Sequence, residues 1–516
     1  MKSSSFNLFD RKWVLGLLLA VLLGCGAFLR YSDLSAPLLD FHPTRQLFGA
    51  IKARGLFYQT LPEAPAWQKS LAVRQYEGEA TIEPPLMEHL SADLYQFFGE
   101  QTAIPRAVSS SFWLLGGLFL FLLARNLTGS SPAGAASLAF YLLLPYAVSA
   151  SRAFQPDPLM VMLLILFWWS IENWSRQLSW KWALISGLSG GLAIFIKFPV
   201  VFFVIGGAFG IIFGRVGLIN AFKKPQTWGI VLLGILPPAV YLYYGTVLHG
   251  FLGQQFGDRF YPELWITPIF YLRWFLKVQN VASILWIGLA LLGCFVFSSK
   301  TVRVFLGSLL AAYVVFGLIF AHHISSHDYY SLPLVPILAL GLAPLAAVIL
   351  SALRLRFLPS VSQSESAGMS APAEFGVPGI FLQAFIVLIF ISSLLLYTVN
   401  QYLDERTNDY RPQAAFWAQV GDAIGHQPGV LALTTDYGYS LAYYGWQNSS
   451  PWPPSLPAQE FRDTFKRLAS NKTYFLVTDF DEYKREPELQ KQLTENYPIL
   501  AQSRDFIVFD LYHPKK

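Results

Sequence analysis

The sequence is poor in charge and in cysteine. Only 13% of its 516 residues are Asp, Glu, Lys or Arg, and cysteine occurs twice, as Cys25 and Cys294. Soluble domains carry about 25% charged residues, so this composition excludes an ordinary soluble protein. Both cysteines stand inside apolar runs, which argues against a disulfide framework. No lysine follows a glycine, so the chain has no Walker-type phosphate loop.

Apolar and aromatic residues dominate instead. Hydrophobic residues make up 54% of the chain, with 43 Phe, 25 Tyr and 15 Trp. This composition is typical of a polytopic membrane protein, in which aromatic residues concentrate at the lipid–water boundaries. Eleven segments are apolar enough to predict membrane-spanning helices. They are residues 13–29, 108–124, 135–152, 158–174, 182–196, 198–214, 228–246, 280–297, 304–321, 332–353 and 379–398.

The basic residues predict an orientation. Alternate loops between the predicted spans carry them, and by the positive-inside rule these loops face the cytoplasm. The residues are Arg125, Arg176, Lys181, Arg215, Lys223, Lys224, Lys300, Arg303, Arg354 and Arg356. The N-terminus is therefore predicted to be cytoplasmic and the C-terminus extracytoplasmic. The Ser-, Pro- and Ala-rich segment 357–377 is predicted to be a flexible inner linker.

Two predicted outer regions differ from the spans. Residues 401–516 combine strand-like runs at 429–435, 473–478 and 505–511 with helical patterns at 459–470 and 485–495, which predicts a small α/β domain. Residues 1–400 form the predicted transmembrane domain.

The first outer loop, residues 31–107, is predicted to contain two amphipathic helices lying on the membrane surface. In the second of them, Leu86, Leu90 and Leu94 recur at helical spacing before Phe97 and Phe98. The first covers 44–57, with its greasy side at Leu47, Ile51 and Phe57.

Ionisable residues collect at the predicted outer ends of the spans. They are Asp40, His42, Arg45, Glu83, Arg152, Asp157, Lys197, His327 and Asp328, with Tyr329 beside the last. Charges at membrane depth are costly and tend to mark a site or a pathway. Each one alone also fits a structural role, such as a helix N-cap, a turn acid, an Arg–Asp pair or an interfacial girdle. Taken together, they favour one shared outer site.

A bound metal is a further possibility. His89 and Asp93 stand four residues apart on a predicted helix, and residues 322–328 include three histidines. Neither pattern is a recognised zinc signature, so His89 and His327 are candidate ligands for a divalent metal and no other cofactor is predicted. The modest net charge of +5 predicts no nucleic-acid partner.

Five stretches carry a family resemblance. They are "DFHPTRQ" after the first span, "EPPLMEHLSADLYQFFGEQTAIPRAVSS", "YLLLPYAVSASRAFQPDPLM", "GLSGGLAIFIKFPVVF" and "HDYYSLPLVPILAL". In this order, across residues 13–350, they resemble the GT-C glycosyltransferases. The chain looks most similar to bacterial glycosyltransferase family 39, the protein O-mannosyltransferase-like group related to the aminoarabinose transferases that act on lipid A.

The resemblance implies an integral enzyme of the bacterial inner membrane. It would move a sugar from a polyprenyl-phosphate carrier to a lipid, glycan or protein hydroxyl outside the cytoplasm. A lipid phosphate leaves readily when cations hold it, whereas the acceptor hydroxyl needs a base. Asp40 matches the position of the family's acid and would be this base, with inversion at the anomeric carbon. Arg45, Arg152 and Lys197 would hold the phosphate, and Glu83 and His327 would position the acceptor or bind a metal.

The sequence also departs from the family pattern. Phe41 follows Asp40 where many relatives have a second acid, and Glu83 stands where aminoarabinose transferases have a lysine. Asp157 is therefore the reserve candidate for the base, and Glu83 is the third catalytic candidate. The main alternative is a membrane transporter or flippase of a lipid-linked or small polar substrate, and a non-catalytic binding protein is the other. The gathering of polar residues at one face, without paired repeats, favours the enzyme.

Overall fold

The computed structural model describes residues 11–253, 260–356, 379–454 and 459–515, and most of them are helical. The helices before residue 253 are α1 (Lys12–Tyr31), α2 (Pro43–Thr60), α3 (Ala66–Gly78), α4 (Leu86–Phe98), α5 (Ala103–Thr128), α6 (Ser131–Leu143), α7 (Pro145–Arg152), α8 (Asp157–Gln177), α9 (Trp180–Ile196), α10 (Val201–Ile211), α11 (Leu218–Phe222) and α12 (Pro225–Tyr243). The predicted linker at 357–377 lies outside the described residues.

The remaining helices begin after residue 260. They are α13 (Pro268–Val281), α14 (Ile284–Val296), α15 (Lys300–Ile319), α16 (Ala321–Ser326), α17 (Leu334–Arg356), α18 (Gly379–Thr407), α19 (Arg411–Ile424), α20 (Tyr439–Tyr444), α21 (Phe461–Ala469), α22 (Phe480–Arg485) and α23 (Pro487–Asn496). The strands are β1 (Val430–Leu433), β2 (Ser449–Pro451), β3 (Tyr474–Val477), β4 (Ile499–Gln502) and β5 (Ile507–Asp510). Short 3₁₀ or π-helical turns join several of the helices.

The described residues contain seven helical segments long and apolar enough to cross a membrane, and nine if each of two bent pairs counts as one span. The bent pairs are α6 with α7, at 61°, and α13 with α14, at 89°. Two shorter apolar helices, Trp180–Ile196 and Val387–Leu403, cover the other predicted segments. The helical membrane architecture is therefore confirmed, whereas the count of eleven crossings stays a prediction.

The centre of the helical body is α8, most of which is buried between α5 and α9. On its far side α9 packs against α12 along a line of glycines. A Cβ atom on Gly191 would lie 2.3 Å from the carbonyl oxygen of Leu233, and one on Gly187 would lie 2.7 Å from the Leu233 side chain. Small residues let two membrane helices approach this closely. The helix α9 then ends at Ile196, so that Lys197 stands at a break in the chain.

The first outer loop contains the two predicted helices, α2 and α4, and a third, α3. The expectation that α2 lies on the membrane by its greasy side is wrong, because Leu47, Ile51 and Phe57 are buried against the rest of the protein. They pack with Tyr443 of the C-terminal region. The apolar stripe of α4 behaves differently: Phe97 is 81% exposed from the protein, as expected for a side chain that meets lipid.

The C-terminal region is a five-stranded mixed sheet with the strand order β2-β1-β3-β5-β4. Strand β1 pairs in parallel with β2 and β3, whereas β5 pairs antiparallel with β3 and β4. The predicted small α/β fold is therefore confirmed. The region docks on α2, where Arg54 donates a 2.6 Å hydrogen bond to the carbonyl oxygen of Tyr443. On which side of the membrane it lies stays a prediction.

Candidate active site

Asp40 lies between α1 and α2 in a turn whose backbone conformation is set at His42. His42 adopts a left-handed backbone conformation with φ 46°, and Pro43 then starts α2. This turn directs Asp40 toward the start of α5. There Arg106 donates hydrogen bonds of 2.9 Å to each carboxylate oxygen of Asp40, and Gln46 donates one of 3.0 Å to Oδ1.

The two partners in this ion pair differ in exposure. The Arg106 side chain is 0% exposed, whereas that of Asp40 is 29% exposed. Burial alone would raise the pKa of Asp40, but the charge and hydrogen bonds of Arg106, with help from Gln46, lower it below its usual value. Asp40 is therefore ionised at neutral pH. Within the described contacts, Oδ2 accepts only one hydrogen bond, so it has capacity for another.

Asp40 faces a cavity of about 280 Å³. The cavity is lined by Asp33, Ala36, Pro37, Asp40, Arg152, Tyr402, Asn408, Asp409, Tyr410 and Arg411. Arg152, predicted to hold phosphate, is therefore on this side of the site. It donates hydrogen bonds of 3.0 and 3.2 Å to the carbonyl oxygens of Ser32 and Asp33.

A second group of charges surrounds the ring of Tyr329. The Arg45 guanidinium carbon lies 5.6 Å and the Lys197 Nζ 5.2 Å from the centre of this ring. Each cation also has a carboxylate partner. Arg45 donates a 3.0 Å hydrogen bond to Glu83, and Lys197 donates one of 2.7 Å to Asp157. Five sequence-predicted site residues are thus brought together from five separate stretches of the chain.

Histidines border this second group. His42 pairs with Asp328, with 2.8 Å between Nε2 and Oδ1, and the Tyr146 hydroxyl donates a 3.1 Å hydrogen bond to the same oxygen. The His327 ring packs 5.4 Å from that of Tyr329. Partial burial lowers the pKa of His327, and the neighbouring His42 lowers it further. His327 is therefore neutral at neutral pH.

The structure does not assemble the predicted metal site. His89 is exposed on the outside of α4 rather than turned toward Tyr329. Across residues 11–253, 260–356, 379–454 and 459–515, no three His, Cys, Asp or Glu side chains come together as metal ligands would. His89 and His327 thus lie on separate parts of the described structure.

Sequence reasoning missed several residues of the site, above all Arg106. Arg106 is fully buried in the structure. In the sequence it is a charged residue at the start of an apolar span, and because an unpaired charge there is costly, it indicates a partner. Glu88, the neighbour of His89, was also missed. It is buried beneath α2, and burial raises its pKa to about 7, although the Lys52 charge opposes this. Its helical position, one residue before His89, gave no indication of which side faces inward.

Comparisons with known proteins give a family match for part of the chain and a fold match for nearly all of it. Residues 82–244 match the family of dolichyl-phosphate-mannose-protein mannosyltransferases. The match includes Glu83, Arg106 and Lys197 but begins after Asp40. None of the curated proteins matches the sequence.

Two solved structures share the whole fold. They are crystal structures of ArnT from Cupriavidus metallidurans, one bound to undecaprenyl phosphate and one in the apo state. Each aligns with a TM-score of 0.57 at 15% identity and covers 98% of the ArnT chain, with 97% and 98% of this chain aligned respectively. The family match covers less than half of the chain, and the ArnT structures, at 15% identity, show the fold. The chain is thus similar to GT-C glycosyltransferases in part of its sequence and in its fold, as the resemblance predicted.

Proposed function

We propose that this protein transfers a sugar from a polyprenyl-phosphate carrier to an acceptor hydroxyl at the extracytoplasmic face of the bacterial inner membrane, with inversion and with Asp40 as base. The observation that carries the proposal is the position of Asp40, which is held by Arg106 and lines a cavity. The matched family is described by a dolichyl-phosphate sugar, and an ArnT structure holds undecaprenyl phosphate, which supports the same kind of donor here.

Arg45 and Lys197 are the proposed phosphate-binding groups. Departure of the sugar leaves negative charge on the carrier phosphate, and preorganised cations stabilise that charge in the transition state. Nη2 of Arg45 donates to both carboxylate oxygens of Glu83, and a guanidinium carries further N–H groups that can bind phosphate oxygens. Glu83 and Asp157 keep the two cations in place while no carrier is bound.

Asp40 is favoured over the reserve candidates by access. A base must come within hydrogen-bond distance of the hydroxyl whose proton it takes. The Asp157 side chain is 2% exposed, whereas those of Glu83 and Asp40 are 22% and 29% exposed. Of the three, Asp40 lines the cavity of about 280 Å³, which is large enough to admit an acceptor. Direct attack by the activated hydroxyl on the anomeric carbon, in a single displacement, inverts that carbon.

The test is sugar transfer in membranes that contain wild type, Asp40→Asn or Asp93→Asn. Asp93 is an exposed acid on α4, and its variant is the matched control. A panel of radiolabelled polyprenyl-phosphate sugars is supplied, and label on endogenous acceptors is counted. Transfer by wild type and by Asp93→Asn, with loss in Asp40→Asn, is the expected result. Equal transfer by all three would remove Asp40 as base, and no transfer from any carrier would overturn the proposal.

Carrier binding is tested separately with Arg45→Gln, using Arg74→Gln as the control because Arg74 is exposed on α3. We expect the KM for the donor to rise about tenfold or more in Arg45→Gln, because a charge-assisted hydrogen bond to phosphate is lost. An unchanged donor KM would show that Arg45 does not hold the phosphate.

A further inference from the structure

The cavity in front of Asp40 has a wall that the proposed reaction leaves unexplained. Asn408 to Arg411, the short connection between α18 and α19, forms this wall. Arg411 connects it to the opposite side through a 2.6 Å hydrogen bond to Asp33. Nearby, Tyr402 of α18 donates one of 2.5 Å to Ser32, and Arg152 of α7 donates to the carbonyl oxygens of Ser32 and Asp33. The C-terminal region thus completes a cavity that has Asp40 in its lining.

The lining calls for a ligand that both donates and accepts hydrogen bonds. Arg411 engages Oδ1 of Asp33 and Oδ1 of Asp409, so in the described contacts Oδ2 of each aspartate has acceptor capacity. Carboxylates only accept hydrogen bonds, whereas guanidinium groups only donate them. A hydroxyl group does both. A ligand with several adjacent hydroxyls can therefore donate to the carboxylates of the lining and accept from its guanidinium groups.

Charge and size narrow the ligand further. Three carboxylates and two guanidinium groups line the cavity, and Arg106 behind Asp40 balances the third carboxylate, so the charge of the cavity does not favour an anion such as a phosphate. Its polar walls exclude an acyl chain. A volume of about 280 Å³ is close to the lower end of small-molecule sites, near 300 Å³, and suits a compact group. Tyr402 and Tyr410 add the aromatic surface on which the apolar face of a sugar ring can pack.

We propose that this cavity is the acceptor subsite and that it binds a carbohydrate, so that the acceptor is a glycan or the sugar part of a glycolipid. The inference rests on the proposed transferase function and adds the acceptor class to it. The acceptor hydroxyl donates its proton to Oδ2 of Asp40, its oxygen forms the new bond to the anomeric carbon, and the carrier phosphate leaves with the electrons of the broken bond. Asn408 and Asp409 are specificity residues that hold the acceptor ring.

Site-directed labelling tests the subsite without relying on turnover. Asn408→Cys introduces a thiol on the cavity wall of the full chain, and Asp481→Cys introduces one on an exposed helix of the same region. A membrane-impermeant maleimide is applied to both, with wild type as the blank for Cys25 and Cys294. The probes are methyl hexopyranosides and disaccharides, a Ser/Thr-containing peptide and inorganic phosphate.

We expect saturating glycosides to slow labelling of Asn408→Cys about tenfold and to leave Asp481→Cys unchanged. Protection by the peptide or by phosphate alone would overturn the carbohydrate assignment, as would protection by no probe. The wild-type transfer assay separates this inference from the function beneath it. Protection without any transfer would overturn the transferase function and the acceptor role together, and would leave a carbohydrate-binding cavity. Transfer without protection would overturn the subsite and leave the transferase function standing.

Kinetics provide a second readout once an acceptor is transferred. Asn408→Ala is expected to raise the acceptor KM about tenfold, because one or two hydrogen bonds to the ring are lost. The donor KM is expected to stay at the wild-type value. A rise in donor KM of the same size would assign Asn408 a general structural role and overturn its role in acceptor specificity.

Discussion

Two ion pairs at the predicted outer ends of the helices differ in the exposure of their carboxylates. In the pair between Asp40 and Arg106 the cation is fully buried and the carboxylate reaches a cavity, whereas in the pair between Asp157 and Lys197 both partners are buried. Their hydrogen-bond lengths are similar, at 2.9 and 2.7 Å. Exposure, not pairing, therefore separates a carboxylate that can exchange a proton with substrate from one that holds a lysine in place.

The largest expected effect separates the two aspartates by activity. Asp40→Asn should lower kcat about 10²- to 10⁴-fold, the usual contribution of a general base. Asp157→Asn should lower kcat much less, because Asp157 holds Lys197 in place and takes no proton. Both variants should lower the unfolding temperature, because each leaves a buried cation, Arg106 or Lys197, without its carboxylate. Transfer assays and thermal unfolding in detergent measure both. A stable Asp157→Asn protein without activity, beside an active Asp40→Asn protein, would reverse the assignment.

The next effect is on stability and compares the two cations. Lys197→Met should reduce the free energy of unfolding by about 3–5 kcal/mol, because it leaves Asp157 as an uncompensated charge in a buried position. Arg106→Met should cost less, since Asp40 can be solvated from the cavity. Adding Asp157→Leu to Lys197→Met should recover most of the loss. Chemical denaturation of the three variants measures this, and equal losses for the two single variants would contradict the difference in exposure.

Glu88 extends the comparison to a carboxyl group that is buried without a bonded cation among its described contacts. Its pKa is raised from 4.5 to about 7, so the folded protein holds a proton that the unfolded chain releases between these values. Stability should therefore fall as the pH rises through this window, by a total on the order of 3 kcal/mol, and level off above it. Glu88→Gln should remove this pH dependence. Unfolding temperatures measured at about pH 5, 6, 7 and 8, which cover this window, would show the change. An unchanged slope would assign it to other groups.

The smallest effect is expected at the rim of the cavity. Arg411 pairs with Asp33 and Asp409 in an exposed position, where ion pairs contribute little to stability. Arg411→Gln should leave the unfolding temperature unchanged and alter the acceptor KM by less than about threefold, because glutamine still donates hydrogen bonds. Calorimetry and initial rates measure the two quantities. A large loss of stability would make this exposed pair equivalent to the buried one.

The helices and most of the strands could be predicted from the sequence, whereas the tertiary contacts between side chains could not. Hydropathy located the helices, and helical spacing located α2 and α4, because these signals are local. The edge strands β2 and β4 were missed because they are largely exposed and lack the buried apolar runs that revealed β1, β3 and β5. Likewise Asp40 and Asp157 were recognisable as acids at span ends, but which of them reaches a cavity depends on packing.

The partners of the site residues were the hardest to predict. Arg106 lies 66 residues after Asp40, and Asp328 lies 286 residues after His42. Local spacing carries no information on such pairs, because they depend on how the helices pack. The side of α2 that faces the protein was wrong for the same reason: the region that covers it begins more than three hundred residues later.

The left-handed turn at His42 has a consequence for how quickly the site can act. Around it, the side chains of Asp40, His42 and Arg45, in the loop and the first turn of α2, bind three different parts of the protein. Their partners are Arg106, Asp328 and Glu83. The loop can shift only if several ion pairs break together. The entropy of ordering the loop is therefore lost when the protein folds and not at each catalytic cycle. A substrate meets a loop already set in position, and turnover has no need to wait for it to close.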